Sequence, residues 1–286
     1  MQNIPFVKMN GAGNDFVIFD ARKQAVHLAP DQIRKIADRN NDATKGCDQI
    51  IIIETSHKAD AFMRIFNAGG GEVNACGNAT RCVAEILEKE LHRLPVTIQT
   101  NVDILKGIKK AVNNNKEYIL VDMGAPHLEW EKIPLKSPIT QSVELVKEYS
   151  GLDVEPLFVN MGNPHVIFFL PSQAMVWTAK LNEFGPALEN AANIFPEGVN
   201  VSIAAIEKNG DYIFHSRVWE RGVGMTKACG TAACAMLVAA NMRDKTIRKA
   251  TISFENSGVV NVELDANSHV LLGGEVEMEF RGTVAL

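Results

Sequence analysis

The sequence predicts an α+β protein assembled from two related halves, and three observations predict it. A sixteen-residue segment recurs in the second half at a constant offset. Short apolar strand-like runs alternate with segments of helical periodicity along the whole chain. The composition, 46% hydrophobic and 22% charged over 286 residues, is that of an ordinary globular protein with room for about two domains.

The elements follow in order. Phe16 to Phe19 and Ile50 to Ile53 read as strands, the second buried because it is apolar without interruption. Between them Pro30-Asp31 opens a helix with Ile33, Ile36 and Ala37 on one face. Phe62 to Phe66 is a further strand, followed by the glycine run Gly69 to Gly71 and a helix starting near Gly77. In that helix Cys82, Val83, Ile86, Leu87 and Leu91 follow the helical period, and Pro95 is the expected stop. Lys132 to Pro138, with two prolines, is the best linker candidate.

The second half repeats the grammar. Leu157 to Val159 and Val166 to Leu170 read as strands, Phe184 to Ala192 as a short helix, and Val199 to Ile206 and Tyr212 to Trp219 as strands again. The turn Gly222 to Gly224 leads into an apolar helix from Gly230 to about Met242. From Thr251 to Phe280 several strands are expected, separated by turns such as Asn256-Ser257-Gly258 and Gly273-Gly274.

The repeat carries the chemistry. Arg64 to Ala79 aligns without a gap on Arg217 to Ala232 at an offset of 153, with seven identities in sixteen. They are Arg64/Arg217, Gly69/Gly222, Gly71/Gly224, Ala75/Ala228, Cys76/Cys229, Gly77/Gly230 and Ala79/Ala232. A repeated strand–turn–helix explains the glycines but not a cysteine opening each helix. The expectation is a duplicated lobe with the two cysteines facing one another across the lobe interface. At a helix N-terminus a cysteine lies in the positive end of the helix field, which lowers a thiol pKa. The unbonded N–H groups of Gly77-Asn78 and Gly230-Thr231 can hold a carboxylate. One thiolate would then take a proton from carbon while the other thiol delivers one. Cys82 and Cys234 fall on the apolar stripes of their helices and, like Cys47, read as small buried hydrophobes.

Charge and apolar runs exclude other classes. A net charge of −5 with no basic block argues against a nucleic-acid partner. The best apolar stretch, Ala232 to Ala240, is half a membrane span, and no basic-then-apolar leader opens the chain, so a cytoplasmic protein is expected. Five cysteines are few and odd in number, against a disulfide scaffold.

Six segments together carry a resemblance: KMNGAGNDF (Lys8 to Phe16), GCDQI (Gly46 to Ile50), FNAGGGEVNACGN (Phe66 to Asn78), GNPH (Gly162 to His165), GVNV (Gly198 to Val201) and ERGVGMTKACGT (Glu220 to Thr231). Over essentially its whole length the chain resembles the diaminopimelate epimerases. That resemblance implies two pseudo-symmetric lobes, each a mostly antiparallel sheet wrapped around a central helix. The expected lobes are residues 1–127, with 275–286 packing back on them, and 128–274. It implies interconversion of LL- and meso-2,6-diaminopimelate without a cofactor or metal, in lysine and peptidoglycan precursor synthesis, by a homodimer acting on a small molecule. Cys76 and Cys229 would be the acid/base thiols, with His165 and Glu220 tuning them in an assignment the sequence leaves open. Asn14, Gln49, Asn67, Gly77, Asn78, Asn163, Asn200, Glu220, Arg221, Gly230 and Thr231 would bind substrate. A substrate with two amino-acid heads suits an arginine fork and several side-chain amides.

The chain departs from the family pattern at Gly69-Gly70-Gly71, where an Asp-Gly-Ser type turn is usual, and at Ala79 and Ala232, where glycine is common. Alanine stiffens the helix starts. The first alternative is another two-cysteine racemase or isomerase on the same lobe, such as a proline-type racemase. A zinc module using Cys76, Cys82, Cys229 and Cys234 is the second, disfavoured by its C-x5-C and C-x4-C spacings. No Gly-Lys-Ser/Thr follows the glycine run, against phosphate binding, and no lysine lies in a recognisable pyridoxal motif.

Overall fold

The computed structural model describes residues 3–74, 76–113, 116–255 and 258–285. Ala75 of the repeat and the Asn256-Ser257 part of the expected turn lie outside them. The chain divides into two compact units, Met1–Asp122 with Gly273–Leu286, and Met123–Leu272.

The first unit contains β1 (Asn3–Gly11), β2 (Asn14–Asp20), α1 (Pro30–Ala37), β3 (Gln49–Glu54), β4 (Ala61–Asn67), β5 (Glu72–Val73), α2 (Gly77–Leu91), β6 (Val96–Gln99), β7 (Ile104–Asn113) and β8 (Lys116–Asp122). Antiparallel pairs β1/β2, β3/β4, β4/β5, β6/β7 and β7/β8 alternate with two parallel ones, β2/β3 and β4/β6. Each parallel pair needs a crossover, and α1 and α2 supply them. Helix α2 is buried around its first two turns, Gly77 through Ala84, and packs against β1, β6, β7 and β8. On the other sheet face Ile33 and Ile36 of α1 join Phe6, Val17, Phe19, Ile50 and Ile52 in one core.

The second unit contains α3 (Ile139–Ser150), β9 (Pro156–Asn160), β10 (Pro164–Phe169), α4 (Gln173–Thr178), α5 (Leu181–Glu189), β11 (Asn200–Asn209), β12 (Asp211–Glu220), β13 (Gly224–Thr226), α6 (Gly230–Arg243), β14 (Lys249–Phe254), β15 (Val259–Leu264) and most of β16 (Val270–Gly273). Pairs β9/β10, β11/β12, β12/β13 and β14/β15 are antiparallel, while β10/β11 and β12/β14 are parallel. Helix α6 is apolar all round and almost wholly buried, as a helix enclosed by its own sheet must be. Phe158, Phe168, Phe184, Phe195 and Leu188 pack α3 to α5 on the opposite face.

The duplication is visible element by element. β4–β5–α2–β6 of the first unit and β12–β13–α6–β14 of the second have the same order and the same pairings. Both units are mostly antiparallel sheets around a helix, so the α+β class stands. β17 (Val276–Ala285) runs antiparallel to β1, from Asn3↔Ala285 to Gly11↔Val276 with a bulge at Lys8/Met9.

The structure corrects several readings. α2 stops at His92, a left-handed cap donating to Glu88 O, three residues before the cis Pro95. Lys132 to Pro138 forms turns, and its Ile133 and Leu135 sit in the second core. Of the expected 184–192 helix, the observed α5 begins and ends three residues earlier.

Candidate functional site

Cys76 is the N-cap of α2 and Cys229 the N-cap of α6, both with extended backbone. The first helical hydrogen bonds are Thr80 N to Cys76 O and Ala233 N to Cys229 O, each 3.0 Å. The three amides between each pair are those that no helical carbonyl can reach.

Around Cys229 the second unit builds a compact acid–thiol pair. Glu220, at the end of β12, accepts from the hydroxyl of Thr226 and lies close enough to Cys229 for its charge to act on the thiol. The Thr231 hydroxyl lies 3.4 Å from the sulfur. Burial pushes the Cys229 thiol well above its usual range, and the Glu220 carboxylate raises it further, while Thr231 and the Ala232 N–H pull the other way. The helix-start effect expected from sequence is therefore present and outweighed. Cys229 is held as a thiol. Burial likewise raises the Glu220 carboxyl, which suits it to take and return a proton.

His165 is fully buried on β10. Burial first, then the Arg221 charge, lowers its pKa to about 3, so the ring is neutral. Its Nε2 donates to Asn163 Oδ1 at 2.8 Å, and its Nδ1 has no hydrogen-bond partner in the structure. Asn200 is also buried; its Nδ2 donates to Pro164 O (2.8 Å) and its Oδ1 accepts from the Arg221 N–H (3.0 Å). Arg221 Nη1 donates to Glu197 O at 2.6 Å. Glu189, ending α5, accepts Trp219 Nε1–H (2.6 Å) and the Gly222 N–H (2.7 Å). The Trp219 ring leans on Gly185, where a Cβ would come within 2.8 Å of it.

In the first unit the Cys76 thiol donates to Asn14 Oδ1 at 3.8 Å, and Asn14 Nδ2 donates to Asp48 Oδ2 at 2.9 Å. Gln49 and Asn67 are register partners across β3/β4, with Gln49 Nε2 donating to Asn67 Oδ1 at 2.9 Å. Gln49 Oε1 is buried and unbonded. Asn78 is buried, and its Oδ1 accepts from Arg81 Nη2 at 2.8 Å.

The structure thus brings Asn14 to Cys76, Gln49 to Asn67, His165 to Asn163, Asn200 to Arg221, and Glu220 and Thr231 to Cys229. Gly77 and Gly230 directly follow their capping cysteines. Sequence reasoning passed over Asp48, Thr226, Glu189 and Arg81. Asp48 and Thr226 lie inside quoted motifs, whereas Glu189 and Arg81 carry no local signal. Cys82 of α2 and Cys234 of α6 are fully buried, and Cys47 nearly so. Burial raises the thiols of Cys47 and Cys82 to about 12. Among the described residues no group of three His, Cys, Asp or Glu side chains converges as metal ligands do. No helix among them is long and apolar enough to cross a membrane.

The triple-glycine turn is explained by its middle member. Gly70 has φ +97°, its N–H donates to Asn67 O, and a Cβ there would meet Pro30 and Arg34 at 3.1 Å. Gly69 and Gly71 have open space instead.

A family model described as Diaminopimelate epimerase matches residues 6–129 and 157–279. The diaminopimelate epimerase of Acidiphilium cryptum (strain JF-5) is 44% identical over 279 residues, covering 97% of this chain and 95% of that protein. That of Erythrobacter litoralis (strain HTCC2594) is 41% identical over 281 residues, covering 98% and 97%. Among solved structures, a PhzF-family phenazine biosynthesis protein from Bacillus anthracis superposes with a TM-score of 0.68 at 18% identity, covering 100% of both chains. That likeness is one of fold alone.

Proposed function

The chain belongs to the diaminopimelate epimerase family, and from that premise we propose that it interconverts LL- and meso-2,6-diaminopimelate, with Cys76 and Cys229 as its acid and base. One observation carries the assignment. Each unit presents a cysteine as the N-cap of its enclosed helix, with the helix-start amides next in sequence.

Epimerisation removes a proton from one face of an α-carbon and returns one to the other face. One cysteine, as thiolate, takes the α-hydrogen; the other, as thiol, gives its proton, and the protonation states of the pair are exchanged at the end. Cys229 is held protonated, so it is the donor in one direction. In the other it must first lose its proton, and Glu220, the nearby carboxylate that acts on the thiol, accepts that proton. Charge developing on the substrate carboxylate is met by the amides following Cys76 and Cys229, including those of Gly77, Asn78, Gly230 and Thr231. Arg221, held by Asn200 and Glu197, takes the distal carboxylate, with Asn14, Gln49, Asn67 and Asn163 completing recognition through their amides. Neutral His165 offers a lone pair on Nδ1 and orients Asn163.

In this reading the reaction needs neither pyridoxal phosphate nor metal, and the enzyme is a cytoplasmic homodimer without a nucleic-acid partner. Turnover in D2O tests the mechanism. The product is expected to carry deuterium at the inverted carbon from the first turnover, while unreacted substrate initially keeps its hydrogen. Early product that retains the substrate's own hydrogen would mean one base swinging between faces, and the two-thiol assignment would fall.

A further inference from the structure

Beneath Asn14 lies a group of four charges that the mechanism does not use. Lys8 is only 2% exposed; its Nζ donates to Asp15 Oδ2 at 2.6 Å and to the carbonyl of Gly46. Arg39 forks onto both oxygens of Asp15, at 2.5 and 2.9 Å, and reaches Asp48 Oδ1 at 2.6 Å. Asp48 and Asp15 exchange hydrogen bonds reciprocally. The Asp15 N–H donates to Asp48 Oδ2 (3.1 Å), and the Asp48 N–H donates to Asp15 Oδ1 (3.0 Å). The clamp joins the start of β2 to the start of β3.

The Lys8–Asp15 pair is enclosed and the Arg39 pairs are half exposed; neither kind adds much stability, so their value here is sought in geometry. Asp48 as a carboxylate has only acceptors to offer. The side-chain amide of Asn14 must therefore turn its NH2 toward Asp48, which leaves its carbonyl oxygen for the Cys76 sulfur. We infer that Asp48, braced by Arg39 and Asp15, is a positioning residue that fixes the Asn14 amide so that its oxygen, not its NH2, faces the Cys76 thiol. The thiol then has an acceptor for its proton, and the sulfur is held in one orientation. Released from Asp48, the amide can turn and offer N–H to a thiolate instead. The inference rests on the proposed role of Cys76 as an acid–base group.

The test is the alkylation rate of Cys76 by iodoacetamide, mapped by peptide mass spectrometry in the full chain, alongside epimerisation rates. Asp48→Ala is expected to raise Cys76 alkylation about tenfold, the size of effect one hydrogen bond to a charged group produces, and to slow epimerisation. Asp60→Asn is the matched control. Asp60 accepts from the Thr97 N–H and hydroxyl and from Arg93, away from Cys76, so this change should cost stability and leave the Cys76 rate alone. If Asp48→Ala does not fold, Asp48→Asn decides, with a smaller rise expected because its own NH2 must oppose a donor. A rate within about twofold of the unaltered protein in the folded variant would overturn the inference. The alkylation readout needs no substrate. Failure of the unaltered chain to epimerise diaminopimelate would sink the activity alone, and an active enzyme with unchanged alkylation would sink this inference alone.

Discussion

Glu220 lies close enough to Cys229 within the second unit for its charge to raise the buried thiol, and this proximity supports the reading of Glu220, rather than His165, as the partner of Cys229. The two are linked by β13 and the short turn into α6, so their contact is local to the duplicated strand–turn–helix. At the corresponding place in the first unit stands Asn67, which bonds Gln49 instead. The duplication preserved the thiols and let their surroundings diverge.

Cys76→Ala and Cys229→Ala should each fold, as judged by circular dichroism, and each lose epimerisation. Glu220→Gln should keep Cys229 in place but remove the proton acceptor, lowering kcat by roughly 10²–10⁴-fold. Cys82→Ala should instead leave turnover near normal and cost about 1–2 kcal/mol of stability, because it opens a small cavity in a full core. Near-normal turnover in either folded cysteine N-cap variant would refute the two-thiol mechanism.

Buried His165 should make the protein acid-sensitive. Its folded pKa, lowered to about 3, lies below the unfolded value near 6.5. Between the two the unfolded chain binds a proton that the folded one refuses, so stability falls as pH drops through that window. The contribution is at most about 1.4 kcal/mol per pH unit. Urea denaturation of His165→Gln between pH 4 and pH 6.5 (roughly the window set by these two values) should show a shallower slope than the unaltered chain. Equal slopes would exclude His165 as the source.

Glu189 should govern substrate affinity rather than chemistry. It ends α5, where a negative charge opposes the helix dipole, yet it accepts the Trp219 indole N–H and the Gly222 N–H on either side of Arg221. Glu189→Ala should raise KM severalfold with kcat nearly retained, the signature of lost uniform binding, and should shift tryptophan emission. A fall in kcat at constant KM would count against this.

Gly70→Ala should destabilise by about 1–2 kcal/mol, since the residue has positive φ and its Cβ would crowd Pro30 and Arg34. Gly69→Ala and Gly71→Ala, with open space at both positions, should change the melting temperature little. Equal losses at all three would mean that the turn depends on more than its central residue.

By itself the sequence determined what depends on local pattern. The repeat located two strand–turn–helix units, and the second helix, apolar all round, could only be an enclosed one, as α6 is. The Cys-Gly steps marked both helix N-caps because a cap is defined by the few residues around it. What tertiary structure decided is what depends on long-range burial and pairing. Field strength at a helix start is local, but the Cys229 thiol is raised chiefly because the surrounding fold excludes water. Glu189 gained its partners when α5 met β12, and Arg81 gained its contact to Glu275 O, 3.2 Å from its Nη1, when β17 returned to β1. Asp48 was visible in its motif, yet its hold on Asn14 exists only because parallel pairing sets the start of β3 beside the start of β2. Desolvation and strand pairing are properties of the folded chain, and no local stretch of sequence carries them.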